Sequence, residues 1–127
     1  MLDDSHAPAM GERLAQEGRV VMLGTRGRIS GLTARAAVGF VEETDGTLLV
    51  AAGSPSAHWA LNLAAHPFLT ADWAGRFGRY RAEPLEGKAF AAAISALILR
   101  YGTPAERLGR GPAFRLHPEP DERPADG

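Results

Sequence analysis

Cysteine is absent from the 127 residues. That removes disulfides, thiolate nucleophiles and Cys-based zinc sites, and it fits a cytoplasmic chain. No apolar run approaches the roughly 20 residues that a membrane-spanning helix needs. Met1–Gly11 carries Asp3, Asp4 and His6 and has no apolar stretch, so it does not read as a secretion signal. An excess of one charge is missing too: 14 Lys+Arg stand against 15 Asp+Glu, for a formal net charge of -1. No global basic field exists to recruit nucleic acid, and no nucleic-acid partner is expected. Aromatics make up only 7% of the residues, so small aliphatic side chains must build the core.

Catalytic signatures are scarce as well. His58 and His66 have no carboxylate at a helical spacing to complete a metal triad, and His6 and His117 lie in or near the tails, so no metal site is expected. Ser30, Ser54, Ser56 and Ser95 lack the setting of a nucleophile elbow. The glycines near Thr25 match neither the Walker pattern nor the dinucleotide fingerprint. No catalytic residue is therefore assigned. A chain with binding features and no acid, base or nucleophile either only binds a ligand or borrows reactivity from a cofactor.

What is present is one domain, 1–127, with flexible tails expected at about 1–8 and 118–127. A helix is expected at Ala9–Glu17, stopped by Gly18. The run from Arg19 to Gly24 reads as a buried strand. Thr25–Gly31 reads as a turn rich in arginine and glycine. Thr33–Glu43 alternates with a period of two, as one strand in a mostly buried setting. Thr44-Asp-Gly46 is a hairpin turn, and Thr47–Ala52 the returning strand of an antiparallel meander. Gly53–Ser56 leads into a helix, Ala57–Ala65, with Ser54 or Ser56 as N-cap. Strands at Phe68–Trp73 and Phe77–Pro84 flank a turn at Ala74–Arg76. A second helix, Lys88–Tyr101, carries the stripe Phe90, Ile94, Leu97 and Tyr101. Ala113–His117 is the last strand. Short connections make the sheet mainly antiparallel, an order compatible with a small barrel. The fold class is α+β.

Two features carry chemistry. In the turn, glycines let the backbone expose its amides to a ligand, and Arg26, Arg28 and the nearby Arg35 offer bidentate grip on phosphate or carboxylate. The same residues also suit a solvated hairpin tip. In Ser54–Trp59, a loop feeds a helix N-terminus that favours an anion, and Trp59 offers a surface for a flat ring. Trp59 and Leu63 equally suit simple packing of the helix on the sheet.

Taken together, these segments resemble the deazaflavin-dependent nitroreductase family. The resemblance runs through Leu23–Gly31, Ala34–Phe40, Leu48–Ser54 and His58–Pro67. It follows the family's order of strand, Thr-x-Gly-Arg-x-Ser-Gly turn, arginine-bearing strand, small-residue loop and Trp-x-x-Asn-Leu helix. It implies a split β-barrel and an oxidoreductase that uses the 8-hydroxy-5-deazaflavin coenzyme F(420), with FMN as the alternative cofactor. The acceptor would be an electron-poor small molecule such as a quinone or nitro compound; a non-enzymatic carrier of a flat anionic cofactor is the other reading. Carried over by position, Arg28, Ile29 and Ser30 would face the phosphate. Arg35 matches the motif arginine, one residue further from Gly31. Ala52, Gly53 and Ser54 would lie along the ring, framed by His58, Trp59 and Asn62. The tyrosines that some members use late in the chain are missing from Thr103–Pro112, leaving Tyr101 as a rough substitute. A homodimer is compatible with this fold.

Overall fold

The structure, a computed structural model, describes residues 3–102 and 109–120. In chain order the elements are α1 (Asp3–Gln16), β1 (Val21–Arg26), β2 (Thr33–Val38), β3 (Val41–Glu42), β4 (Leu48–Ala51), α2 (His58–Ala65), β5 (Phe68–Trp73), β6 (Arg76–Pro84), α3 (Gly87–Tyr101) and β7 (Ala113–Pro118). The strands form one sheet in the order β2-β1-β5-β6-β7-β4-β3, with every pairing antiparallel. Its two end strands, β2 and β3, are joined by Gly39 and Phe40 alone. So short a link cannot span an open sheet of this width, because a residue reaches about 3.5 Å at most. The sheet therefore curls back on itself as a split barrel of the expected α+β class.

Alternation along the strands fills the interior. Val21, Leu23 and Thr25 of β1, Leu69, Ala71 and Trp73 of β5, and Tyr80 and Ala82 of β6 point inward and are buried. They join Leu48, Val50, Phe114 and Leu116 in one apolar cluster. Few aromatics contribute, as composition implied; Phe40, Trp73 and Tyr80 form a tilted chain, with centroids 5.5 and 6.3 Å apart. A second cluster lies outside the barrel, where Ala93 and Leu97 of α3 cover Leu49, Ala51 and Ala113. The expected stripe on α3 does this packing, and Phe90, Ile94 and Tyr101 border it.

Several expectations need correction. The first helix begins at Asp3, so the expected lead-in to Pro8 is helical from there; Met1 and Leu2 lie outside the described residues. β1 runs on through Thr25 and Arg26, because both keep ladder partners in Ala34 and Thr33. The turn therefore starts at Gly27. The expected single strand Thr33–Glu43 is two strands. Tyr101 causes the break: its hydroxyl accepts from the Phe40 amide at 3.0 Å and also lies 3.2 Å from the Phe40 carbonyl, replacing ladder partners. Its ring sits so close that a Cβ on Gly39 would approach within 3.1 Å. Nor is β2 mostly buried: it is an edge strand, and from Thr33 to Ala37 only Ala36 is shielded to any degree.

The second helix is capped by neither Ser54 nor Ser56. Ala57 occupies the N-cap without a side-chain bond, since the Ser54 hydroxyl accepts from the Ser56 amide at 3.0 Å instead. Finally, Pro118 belongs to β7, so the C-terminal tail starts later than expected; residues 121–127 lie outside the described part.

Candidate functional site

At one mouth of the barrel, the end of β1, the following turn and α2 meet. The turn closes through Gly27 N–H to the Leu32 carbonyl at 2.8 Å and Gly31 N–H to the Gly27 carbonyl at 2.9 Å. Gly27 is required here. A Cβ would stand 2.8 Å from Ser30 Oγ and 3.0 Å from the Leu32 carbonyl oxygen. Gly31 has φ 78°, the left-handed region that glycine adopts without strain.

One buried amide holds this turn on the helix. Asn62 is 3% exposed. Its Oδ1 accepts from the Arg28 amide at 3.2 Å and from Arg28 Nη1 at 2.8 Å. Its Nδ2 donates to Thr25 Oγ1 at 3.1 Å, and that hydroxyl lies 3.4 Å from the Ala34 carbonyl. Arg28 Nη2 sits 3.3 Å from His58 Nδ1. Because a guanidinium can only donate, Nδ1 is the acceptor in this contact. Thr25, Asn62, Arg28 and His58 thus form a continuous polar chain, anchored in the barrel wall and ending in solvent.

With the Arg28 amide engaged, the Ile29 and Ser30 amides have no hydrogen-bond partner among the described residues. Leu32 N–H donates to Ser30 Oγ at 3.0 Å, so the Ser30 proton stays available. The Ile29 side chain is 88% exposed, which makes its amide, and not its alkyl group, the useful part. Two successive free amides beside a guanidinium and a hydroxyl are the donor set of an anion nest.

Next to the turn lies a hollow of about 140 Å³, lined by Thr25, Ala34, Arg35, Ala36, His58, Trp59 and Asn62. Trp59 packs on Phe114 with centroids 6.1 Å apart yet stays partly exposed, leaving indole surface for a flat ring. Ala52 is buried, while Gly53 and Ser54 line the chain's approach to α2.

The structure thus brings together Arg28, Ile29, Ser30, His58, Trp59 and Asn62. Ala52, Gly53 and Ser54 lie on the segment leading into the same helix. Arg35 lines the hollow in part, but its guanidinium turns to the outer face, where it reaches Glu12 at 3.5 Å and Asp72 at 3.9 Å. The extra residue after Gly31 accounts for this, because a shift of one reverses a strand side chain. The inward position holds Ala34. Tyr101 is also absent from the site, since its hydroxyl donates to the Arg19 carbonyl at 2.6 Å, at the barrel bend.

Two contributors escaped the sequence reading. Thr25 looked like a turn residue and is the buried anchor of the polar chain. Gly111 lets the chain before β7 press on the Ala52–Ser54 segment, where a Cβ would come within 2.5 Å of the Ser54 carbonyl oxygen. Neither has a local signal, because each depends on a distant segment.

The family model described as "F420H(2)-dependent quinone reductase" matches residues 2–103. The chain belongs to that family. It is an oxidoreductase, its reductant is reduced F(420), and a quinone is the acceptor that the family name specifies. No curated protein matches in sequence.

Solved structures agree on the fold. An F420-H2 dependent reductase (FDR-A) is 23% identical, with a TM-score of 0.68 over 78% of this chain and 94% of that one. The heme storage protein HutZ of Vibrio cholerae is 21% identical, with a TM-score of 0.68 over 90% of each chain. A structure described as a domain-swapped dimer is 20% identical, with a TM-score of 0.63 over 90% of this chain and 98% of that one. A barrel shared with a heme protein shows that the fold alone does not decide the ligand. No described helix is long and apolar enough to cross a membrane.

Proposed function

We propose that the turn Gly27–Leu32 holds the phosphodiester of F(420), and that the ring lies toward Trp59 and the Ala52–Ser54 segment. The observation that carries this reading is the Asn62 clamp. It fixes Arg28 by both backbone and side chain, while the Ile29 and Ser30 amides have no partner among the described residues. That donor set fits a phosphodiester, and the exposed part of Trp59 suits a planar ring. When bound, the reduced deazaflavin supplies the hydride that the acceptor takes up. The chain's residues need only bind and orient. Arg28 contributes charge and direction, Asn62 holds Arg28, and His58 limits the swing of its guanidinium. Arg35 contributes to the fold on the outer face.

Quinones come first among acceptors; nitro compounds and activated alkenes are secondary candidates in the same pocket. Steady-state oxidation of reduced F(420) with menadione and with a nitroaromatic tests this. Quinone-dependent oxidation is expected. In Arg28→Ala the KM for the coenzyme should rise by about 10–100-fold, the loss of charge-assisted bonds worth about 1.5–3 kcal/mol. Arg28→Ala with an unchanged KM would remove the assignment of the turn. A homodimer remains part of this reading, supported by the domain-swapped relative, and sedimentation measures it.

A further inference from the structure

On the outer face of the sheet, next to the anion turn and lined in part by its Gly31 and by Thr25, lies a second and larger hollow. Its volume is about 600 Å³, within the range of small-molecule sites. Gly24, Thr70 and Arg79 stand in one row across β1, β5 and β6, because Gly24 pairs with Thr70 and Thr70 with Arg79. The missing side chain of Gly24 opens the floor: a Cβ there would stand 2.5 Å from Thr70 Oγ1. Arg26 and its ladder partner Thr33 border one side, and Phe68 lies 60% exposed at the mouth.

The charge on this face is unbalanced. Arg35, Arg81 and Arg115 each have a carboxylate partner. Among the described residues, Arg26 and Arg79 have none. The carboxylate at the rim, Glu119, is held by Arg81 at 3.4 Å. Among the described residues, two guanidiniums without a carboxylate partner, two threonines and one open aromatic ring thus surround the cavity. A second copy docked here about a two-fold axis would set this positive patch against itself. Charge complementarity instead favours an anion.

We propose that this hollow is a second ligand site, adjoining the anion turn at Gly31 and opening on the outer face, and that it takes a small aromatic organic anion. The acidic head would lie between Arg26 and Arg79, with the ring against Phe68. Gly24 is what admits the ligand's body.

Amide-resolved NMR titration of the full chain tests this, with benzoate, phenyl phosphate and inorganic phosphate as separate probes. Saturable shifts are expected at Gly24, Thr33 and Thr70 with one or both aromatic anions, and these two arms decide between carboxylate and phosphate heads. Inorganic phosphate should bind at least about tenfold more weakly, lacking a ring for Phe68. Arg79→Gln should weaken the aromatic probe by about tenfold or more, the loss of one charge-assisted bond, and leave F(420) affinity unchanged. Gly24→Ala should block binding; because it crowds Thr70, Arg79→Gln on the exposed face is the deciding variant. Absence of saturation with both aromatic probes, equal binding of inorganic phosphate, or unaltered affinity in Arg79→Gln overturns the proposal. So do shifts at the same amides that follow protein concentration without any probe, since a second copy would then cover the face.

Discussion

Asn62 uses both ends of its amide inside the protein, holding Thr25 on one side and Arg28 on the other. Its part in binding is therefore to position the turn. In Asn62→Leu, the buried Thr25 hydroxyl and the half-buried Arg28 amide each lose a partner. The expected cost is about 1–3 kcal/mol per group left unsatisfied, read by chemical denaturation. Coenzyme affinity should fall as well, although the altered side chain is buried. Arg28 and Arg35 make a sharper comparison. Arg28→Ala should weaken F(420) binding strongly, whereas Arg35→Ala should change it by less than about threefold, because its partners are Glu12 and Asp72 and such exposed pairs contribute roughly 0–1 kcal/mol. A large loss in Arg35→Ala, measured by fluorescence titration, would return that residue to the site. The meeting of Arg28, Trp59 and Asn62 in one place was legible only when the turn and the helix were taken together as a family pattern. Thr25 was not legible, because its burial depends on Asn62, 37 positions away.

Strand β5 shows when an element can be read directly. Phe68–Trp73 alternates cleanly between outward and inward residues, follows Pro67 and ends at a tight turn in which Ala74 and Gly75 both have positive φ. Its observed bounds equal the expected ones. The strand Thr33–Glu43 shows when an element cannot be read. Nothing within it marks the break at Gly39–Phe40, which Tyr101 imposes from 61 residues away. Tyr101→Phe keeps the ring and removes the hydroxyl shared by Phe40 and Arg19. It should cost about 1–3 kcal/mol and speed hydrogen exchange at the Phe40 amide. Unchanged protection there would mean that the bend is held by other contacts.

Short strand β3 is tied down by charge. Hydrogen bonds from Arg76 hold the Glu42 carboxyl below its usual range, and Arg115, 2.9 Å away, does the same for the adjacent Glu43. Lowered pKa values in the folded state stabilise it above the ordinary carboxyl value near 4.5. This stabilisation is lost as pH falls through the folded values. Thermal stability should therefore decline below about pH 4.5, and less steeply in a Glu42→Gln, Glu43→Gln double variant. An equal acid decline in that variant would assign it to other carboxylates.

At the scale of the whole molecule, curling the sheet sets one end of β1 between two hollows of different character. The smaller adjoins the clamped turn and Trp59; the larger lies on the outer face beside Arg26 and Arg79. Short connections and strand alternation made a mainly antiparallel sheet legible and a small barrel compatible; the split barrel was implied by the family resemblance. Its closure depends on the Gly39–Phe40 link and could be seen only in three dimensions. Composition also foretold a core of small aliphatic residues, and the interior is mostly Val, Leu and Ala. In the proposed function, the turn beside Asn62 selects a deazaflavin phosphodiester for quinone reduction. Parallel titration of the purified chain with F(420) and FMN, in the wild type and in Arg28→Ala, tests it most directly. The wild type should bind F(420) more tightly than FMN, and Arg28→Ala should lose about 10–100-fold of the F(420) affinity. Tight FMN binding with no response to F(420), or an Arg28→Ala variant that binds F(420) as well as the wild type, would contradict it.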